Sequence, residues 1–214
     1  MVGAHQDLPP TDGMEPEDAK STLRTALREA RSHRSARRRA EAQDALGVIG
    51  SHLIKQRGDE VVALYAARPS EPSTADLMDR LSRAGVEVLL PLLGAGLARQ
   101  WATFKGLDDL VERAPGRPPE PSGPALDMTE VSRASLILVP ALAVDSAGCR
   151  LGQGGGWYDR VLTHVRPDAT ILAVVFQDEV FDDVEFTLPR EPHDQLVHGA
   201  ITPQEVITFT SVRK

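Results

Sequence analysis

Cysteine is nearly absent from this chain, and aromatic residues are scarce: 214 residues carry one cysteine, Cys149, with two tryptophans and two tyrosines. A single cysteine excludes an internal disulfide framework and any multi-cysteine zinc site, and it fits a reducing compartment. Hydrophobic residues make up 41% of the chain but aromatics only 4%, so a core has to be built from Val, Leu, Ile and Ala. No segment approaches the roughly 18 apolar residues needed to cross a bilayer. The N-terminus lacks the basic-then-apolar layout of a secretory signal. The net charge of −7 lacks the positive balance of a general nucleic-acid or anionic-membrane binder. Together these absences predict a soluble, cytoplasmic protein acting on small molecules, with neither nucleic acid nor membrane as a partner. A GxxxxGK[ST] phosphate loop is also missing, and His5, His33, His52, His164 and His198 show no metal-ligand spacing.

What is present reads as an α/β domain. Residues 1–16 are rich in proline, glycine and polar residues and read as a disordered leader, with a single domain over residues 17–214. From residue 17 to about 57 the apolar spacing is helical, through Leu23, Leu27 and Ala30 and again through Leu46, Ile49 and Leu53. Ser35 is placed to cap a second helix there and Gly58 to end it. Short apolar runs follow at VVALYAA (61–67), VEVLLPLL (86–93), LILVPALAVD (136–145) and TILAVVF (170–176), with helices predicted over 74–84 and 157–165 and a short strand at 200–202. Thr74 or Ser73 is expected to cap the first of those helices. Continuously apolar strands separated by helices imply a mostly parallel sheet covered on both faces. In such sheets ligands bind beyond the carboxyl ends of the strands.

The segment RLGQGGGWYDR (150–160) lies where that rule puts a site. Its glycines let backbone amides approach a ligand without side chains in the way, and a loop of this kind running into a helix suits a phosphate. The G-x-G-x-x-G spacing fails, because Trp157 stands at the last glycine. Arg150 and Arg160 can neutralise phosphate charge, and Asp159 can bind magnesium. Asp194, in the loop LPREPHD (188–194), is a candidate second metal ligand, and His193 beside it reads as an exposed loop histidine. Lys20 and Arg24 share one helix face, with Arg28 and Arg31 continuing it and Arg34, Arg37, Arg38 and Arg39 beyond. Composition alone makes these a solvated surface. Glu71 can meet a polar ligand at the end of the first strand. Trp101, Phe104, Trp157 and Tyr158 are candidates either for stacking on a flat heterocycle or for the core. Cys149 has no base near it in sequence and reads as a bystander.

These motifs, in this order, resemble the 5-formyltetrahydrofolate cyclo-ligase (methenyltetrahydrofolate synthetase) family. Its signature, VP-x-hydrophobic-A/G-F-D then G-x-RLG-x-G-x-G-YYDR, reads here VPALAVDSAGCRLGQGGGWYDR (139–160). The resemblance also takes in K-x-x-x-R at Lys20 and Arg24, E-x-x-T at Glu71 to Thr74, Leu90-Pro91, Glu120-Pro121, and the close from Leu188 to Asp194. It implies a three-layer Rossmann-like sandwich related to ribose-5-phosphate isomerases and CoA transferases. It implies a monomer that converts 5-formyltetrahydrofolate to 5,10-methenyltetrahydrofolate with ATP as co-substrate and Mg2+ as cofactor. Carried onto this chain, it makes Lys20, Arg24, Arg150, Leu151, Gly152, Gln153, Gly154, Gly155, Gly156, Trp157 and Tyr158 the ATP site. It makes Ala66, Glu71 and residues 153–157 the folate site, Asp159 and Asp194 the metal ligands, and Arg150, Tyr158 and Asp159 the catalytic residues. The departures are Val144 for the usual phenylalanine, Trp157 for the first tyrosine of YYDR, His198 for an aspartate, and Gly155 where some members have lysine. The competing readings are a sugar-phosphate isomerase or CoA transferase relative on the same kind of sheet, and a folate- or nucleotide-binding protein without turnover.

Overall fold

The computed structural model describes residues 8–93, 98–114 and 116–210. The element order is α1 (Pro16–Ser32), α2 (Ala36–Arg57), β1 (Val61–Ala63), α3 (Ala75–Arg83), β2 (Glu87–Leu93), β3 (Arg99–Thr103), β4 (Leu110–Val111), β5 (Glu120–Pro121), β6 (Leu136–Pro140), β7 (Ala143–Asp145), β8 (Arg150–Leu151), α4 (Trp157–Val161), β9 (Thr170–Val174), β10 (Val180–Phe181), β11 (Gly199–Ile201) and β12 (Val206–Thr208). A seven-stranded sheet runs β12-β11-β9-β6-β1-β2-β3. Its five inner strands are parallel, and each edge strand is antiparallel to its neighbour. Two smaller sheets, β10-β7-β8 and β4-β5, stand apart from it.

The period-two alternation of strand side chains explains the layers. Val62, Leu64, Leu136, Leu138, Leu172 and Val174 face α2 and α3, where they meet Leu46, Ile54, Leu77 and Leu81. Ala63, Ile137, Val139, Ile171 and Ala173 face the other way, onto Val131, Val161 and Leu162 of the short helical turns. This is the three-layer sandwich expected from the apolar runs. A third apolar cluster joins Leu23 and Leu27 of α1 to Leu142, Ala143, Cys149, Leu151, Phe181 and Leu188, so α1 packs on the small sheet instead of the large one.

Several local expectations need correction. The run 136–145 is two strands: after Pro140 the chain leaves the central sheet, and β7 pairs with β8 and β10. The helix expected over 157–165 is a five-residue α4 followed by a 3-10 turn at Leu162–His164. The edge strand β3 has no continuous apolar run: only Trp101 and Ala102 of its five residues are buried, and Arg99, Gln100 and Thr103 are half-buried. Residues 1–7 of the expected leader lie outside the described residues. From residue 8 the chain has structure to report: Leu8 is half-buried against the α1 cluster, and Pro16 already opens α1. Ser35 caps α2 by accepting from the Arg38 amide at 3.2 Å, and Gly58 ends it with φ +71°. Thr74 sits at the N-cap of α3 without capping it. Its hydroxyl instead donates to the carbonyl of Tyr65, tying the helix start to the segment that follows β1.

The basic run from α1 into the start of α2 is not uniformly solvated. Arg31 is buried against a fully buried Glu179, with Nε to Oε1 at 2.8 Å and a second nitrogen at 2.7 Å from Oε2 and 2.6 Å from the Ala141 carbonyl. Arg34 stacks over Phe176 and bonds Asp178 at 2.6 Å. Arg37 is exposed, as the composition suggested.

Candidate active site

A cavity of about 550 Å³ opens beyond the carboxyl ends of β1, β2 and β6, closed on one side by α1 and by the glycine loop between β8 and α4. Pro140, Pro91 and Leu93 mark the strand ends. Every site residue implied by the family resemblance lines it, namely Lys20 and Arg24, Ala66 and Glu71, the run 150–159, and Asp194, whereas Arg160, also expected at the phosphate, is exposed outside it.

Local backbone shape sets the loop. Gly154 has φ +96° and Gly156 φ +58°, both in the region that favours glycine. At Gly154 there is a second constraint, because a Cβ would stand 3.3 Å from the guanidinium carbon of Arg24. The loop is fastened to α1: Arg24 Nε donates to the Gly152 carbonyl at 3.1 Å, and Arg28 donates to the side-chain and main-chain oxygens of Gln153 at 3.0 and 2.9 Å. Since α4 has only five residues, its dipole is a small part of the field at the loop, and fixed cations carry most of the positive potential.

Those cations are paired. Arg150 meets Asp159 Oδ1 at 2.5 Å, and the Gln195 amide donates to the same oxygen at 3.2 Å. Lys20 bridges Asp194 at 2.6 Å and Glu191 at 2.7 Å, and the Glu191 amide donates to Asp194 at 2.7 Å. Burial alone would lower the Lys20 pKa, but Asp194 and Glu191 outweigh it and hold the ammonium above its usual range. Burial also works against charge on Asp194, yet the Lys20 ammonium and the Glu191 amide keep its carboxyl below the usual carboxylate range. Glu191, His193 and Asp194 can present ligand atoms within 4.8 Å of one another. Asp159 joins the same neighbourhood through Gln195, so the donor set is dominated by carboxylate oxygens, which suits a hard divalent cation. His193 is the exposed histidine expected, with its side chain 69% accessible.

On the β1 side, Glu71 accepts from Gln153 Nε2 at 3.0 Å and from the Arg68 amide at 2.9 Å. The glycine loop and the proposed substrate carboxylate are therefore in direct contact. The Tyr158 hydroxyl is buried and lacks a hydrogen-bond partner among the described residues. Burial, then the negative field of Glu71, push its pKa well above the ordinary value, with Arg150 opposing. It stays a proton donor. Trp157 packs edge-on against both Trp101 and Tyr158, at 5.0 and 4.8 Å between ring centroids.

Other candidates fall outside the cavity. Trp101 and Phe104 are core, and Trp101 Nε1 donates to the Met128 carbonyl at 3.2 Å. Val144 is fully buried between strands, and His198 accepts from the Ile171 amide at 2.9 Å. Cys149 is buried, and its thiol is pushed up to about 12 by burial and then by the charge of Asp145. Asp145 itself accepts from the Cys149 and Leu188 amides at 2.9 and 3.0 Å, so it braces the turn into β8. Sequence reasoning passed over Glu191 and Glu17, and left Arg28 to the solvated surface. Glu191 was visible in the same L-P-x-E-x-H-D run as Asp194. Arg28 was visible one helical turn after Arg24. The arginines at 68, 99 and 117, also in the cavity wall, carried no motif.

A family model described as the 5-formyltetrahydrofolate cyclo-ligase family matches residues 16–203. The 5-formyltetrahydrofolate cyclo-ligase of Mycolicibacterium smegmatis is 39% identical over 196 residues, which span 88% of this chain and 96% of that protein. The protein of the same name from Escherichia coli K12 is 34% identical over 147 residues, 68% of this chain and 79% of that one. The NMR structure of Aquifex aeolicus 5,10-methenyltetrahydrofolate synthetase superposes with a TM-score of 0.74 at 26% identity, covering 91% of this chain and 95% of that one. A 5,10-methenyltetrahydrofolate synthetase from Mycoplasma pneumoniae, at 14% identity and a TM-score of 0.67, covers 86% of this chain and 98% of its own and shares the fold.

Proposed function

The chain belongs to the 5-formyltetrahydrofolate cyclo-ligase family, and on that premise we propose that it converts 5-formyltetrahydrofolate and ATP to 5,10-methenyltetrahydrofolate, ADP and phosphate. The observation that carries this reading is the 3.0 Å contact between Gln153 of the glycine loop and Glu71. It sets the glycine loop beside Glu71 on one cavity wall, which supports a phosphate site next to a carboxylate that contacts the substrate.

The chemical difficulty is the leaving group. The N5-formyl carbon belongs to an amide, and its oxygen leaves badly. Transfer of the γ-phosphoryl group to that oxygen forms the O–P bond as the bond to ADP breaks. The folate's own N10 then attacks the formyl carbon and gives up its proton, and the C–O bond breaks with loss of phosphate. No protein nucleophile is required, which fits a cavity without a triad and a Cys149 thiol that stays protonated.

The protein's part is alignment and charge stabilisation. Lys20, Arg24 and Arg150 bind the triphosphate beside the amides of the loop, with Arg28 holding Gln153 in place. Glu71 positions the pterin, with Ala66 beside it in the wall. The Tyr158 hydroxyl donates to the transferring group. The carboxylates of Asp159 and Asp194, with Glu191 adjacent, fit magnesium as oxygen donors. When bound, the ion would supply positive charge to the triphosphate. The buried free thiol of Cys149 suits a reducing compartment, which supports a cytoplasmic location. Among the described residues no helix is long and apolar enough to cross a membrane.

The test is a spectrophotometric assay with 5-formyltetrahydrofolate, with and without ATP and magnesium. Growth of the methenyl absorption only when both are present supports the proposal. Nucleotide-independent turnover of a sugar phosphate or a CoA ester would favour the isomerase or transferase reading. Tight folate binding without product would favour a non-catalytic relative.

A further inference from the structure

The basic side chains of the cavity fall into two groups. Lys20, Arg24 and Arg150 each hold a carboxylate, on Asp194, Glu17 and Asp159 respectively. Arg68, Arg99 and Arg117 line the same cavity and form no ion pair with any described residue. The acids nearest them are committed elsewhere. Glu120 accepts from the Leu93 amide at 3.2 Å and faces Arg113 at 3.1 Å, and Glu71 is taken by Gln153 and the Arg68 amide. The Nε of Arg99 is buried without an acceptor among the described residues, a costly state for a charged donor unless a partner is supplied, as a ligand would do.

Position adds to this. Arg99 opens edge strand β3 opposite Leu93, and Leu93 is tied to Glu120, three residues after Arg117. These two arginines therefore mark the β2–β3 end of the cavity. The paired cations are linked instead to the glycine loop and to the segment between β10 and β11. Around Arg99 and Arg117 the wall is apolar, with Pro91, Leu93, Pro118 and Pro119. An apolar floor leading to bare guanidinium groups matches a flat aryl ring followed by carboxylates. Arginine binds carboxylates through paired N–H donors.

We propose that Arg99 and Arg117, flanked by Arg68, form a dicarboxylate subsite for the glutamate tail of the folate, with its aryl ring over the proline-rich wall. This rests on the function proposed above. It assigns these residues a part in substrate affinity and none in phosphoryl transfer.

The experiment compares 5-formyltetrahydrofolate with 5-formyltetrahydropteroate, which keeps N10 and the aryl ring but lacks the glutamate. Both are assayed with the wild type and the Arg99→Gln/Arg117→Gln variant. In the wild type the KM for the glutamylated substrate should be lower by about tenfold. In the variant that advantage should vanish, with kcat, the KM for ATP and the kinetics on the pteroate unchanged, and the melting temperature should match the wild type. Raising the salt concentration should erode the advantage in the wild type only. A variant that loses equally on both substrates, or keeps the full advantage, overturns the subsite. Equal KM values for the two substrates in the wild type also overturn it. A wild type that converts neither substrate overturns the proposed function itself.

Discussion

The two ends of the cavity manage positive charge in opposite ways. Near the glycine loop Lys20, Arg24 and Arg150 are each already held by a carboxylate, at 2.5–2.9 Å. At the β2–β3 end the arginines meet no acid among the described residues. Cations fixed in advance by carboxylates need little reorganisation when charge moves, which suits stabilising a transferring phosphoryl group. Guanidinium groups without an acid set in advance take their partner from the ligand itself and contribute to binding alone. Substitutions at the paired end should therefore lower turnover, and those at the other end should raise KM.

The largest effect should come from Asp159→Asn. It removes a proposed metal ligand and the partner of Arg150, so turnover at saturating magnesium should fall by about 10²–10³ with the melting temperature preserved. Near-normal turnover would take Asp159 out of the metal site and blur the contrast between the ends. Next is Glu179→Ala, far from the chemistry. It leaves the buried Arg31 charge unpaired, and such a loss costs about 3–5 kcal/mol in urea unfolding. Because Arg31 anchors the helix that carries Lys20 and Arg24, the KM for ATP should rise as well. A stable variant would show that α1 is held by its apolar face alone. Arg150→Ala should weaken ATP binding by about tenfold or more in calorimetry, as expected for a charge-assisted contact. An unchanged affinity would argue against the loop as the phosphate site.

The smallest effect belongs to Cys149. Its raised folded pKa means the thiol supports the native state at pH values below the ordinary thiol value of about 8.5. That support is lost progressively as pH rises towards about 12. Cys149→Ala should leave turnover near wild type and flatten the alkaline decline in stability. A loss of turnover would mean that the thiol side of the loop matters to the chemistry.

The same comparison explains what was legible in the sequence. The strands announced themselves because both faces of a parallel sheet are covered, as at residues 136–140 and 170–174. The edge strand β3, with only Trp101 and Ala102 buried between polar residues, did not. The glycine loop could be read because its backbone demands glycine at Gly154 and Gly156. Lys20 and Arg24 could be read only as members of a family pattern, and Asp159 and Asp194 only as separate candidates, since nothing in their spacing shows that these three segments meet. Arg31 looked like one more surface arginine, because burial against Glu179 depends on a turn 148 residues away. Arg99 and Arg117 were hidden for the same reason: their lack of partners is a property of three-dimensional arrangement.

The most direct test of the account is a crystal structure with a non-hydrolysable ATP analogue, magnesium and 5-formyltetrahydrofolate. The account predicts the triphosphate along residues 152–156, within reach of Lys20, Arg24 and Arg150, with its terminal phosphorus facing the formyl oxygen near Glu71. A triphosphate bound away from that loop, or a formyl group turned away from it, would contradict the account.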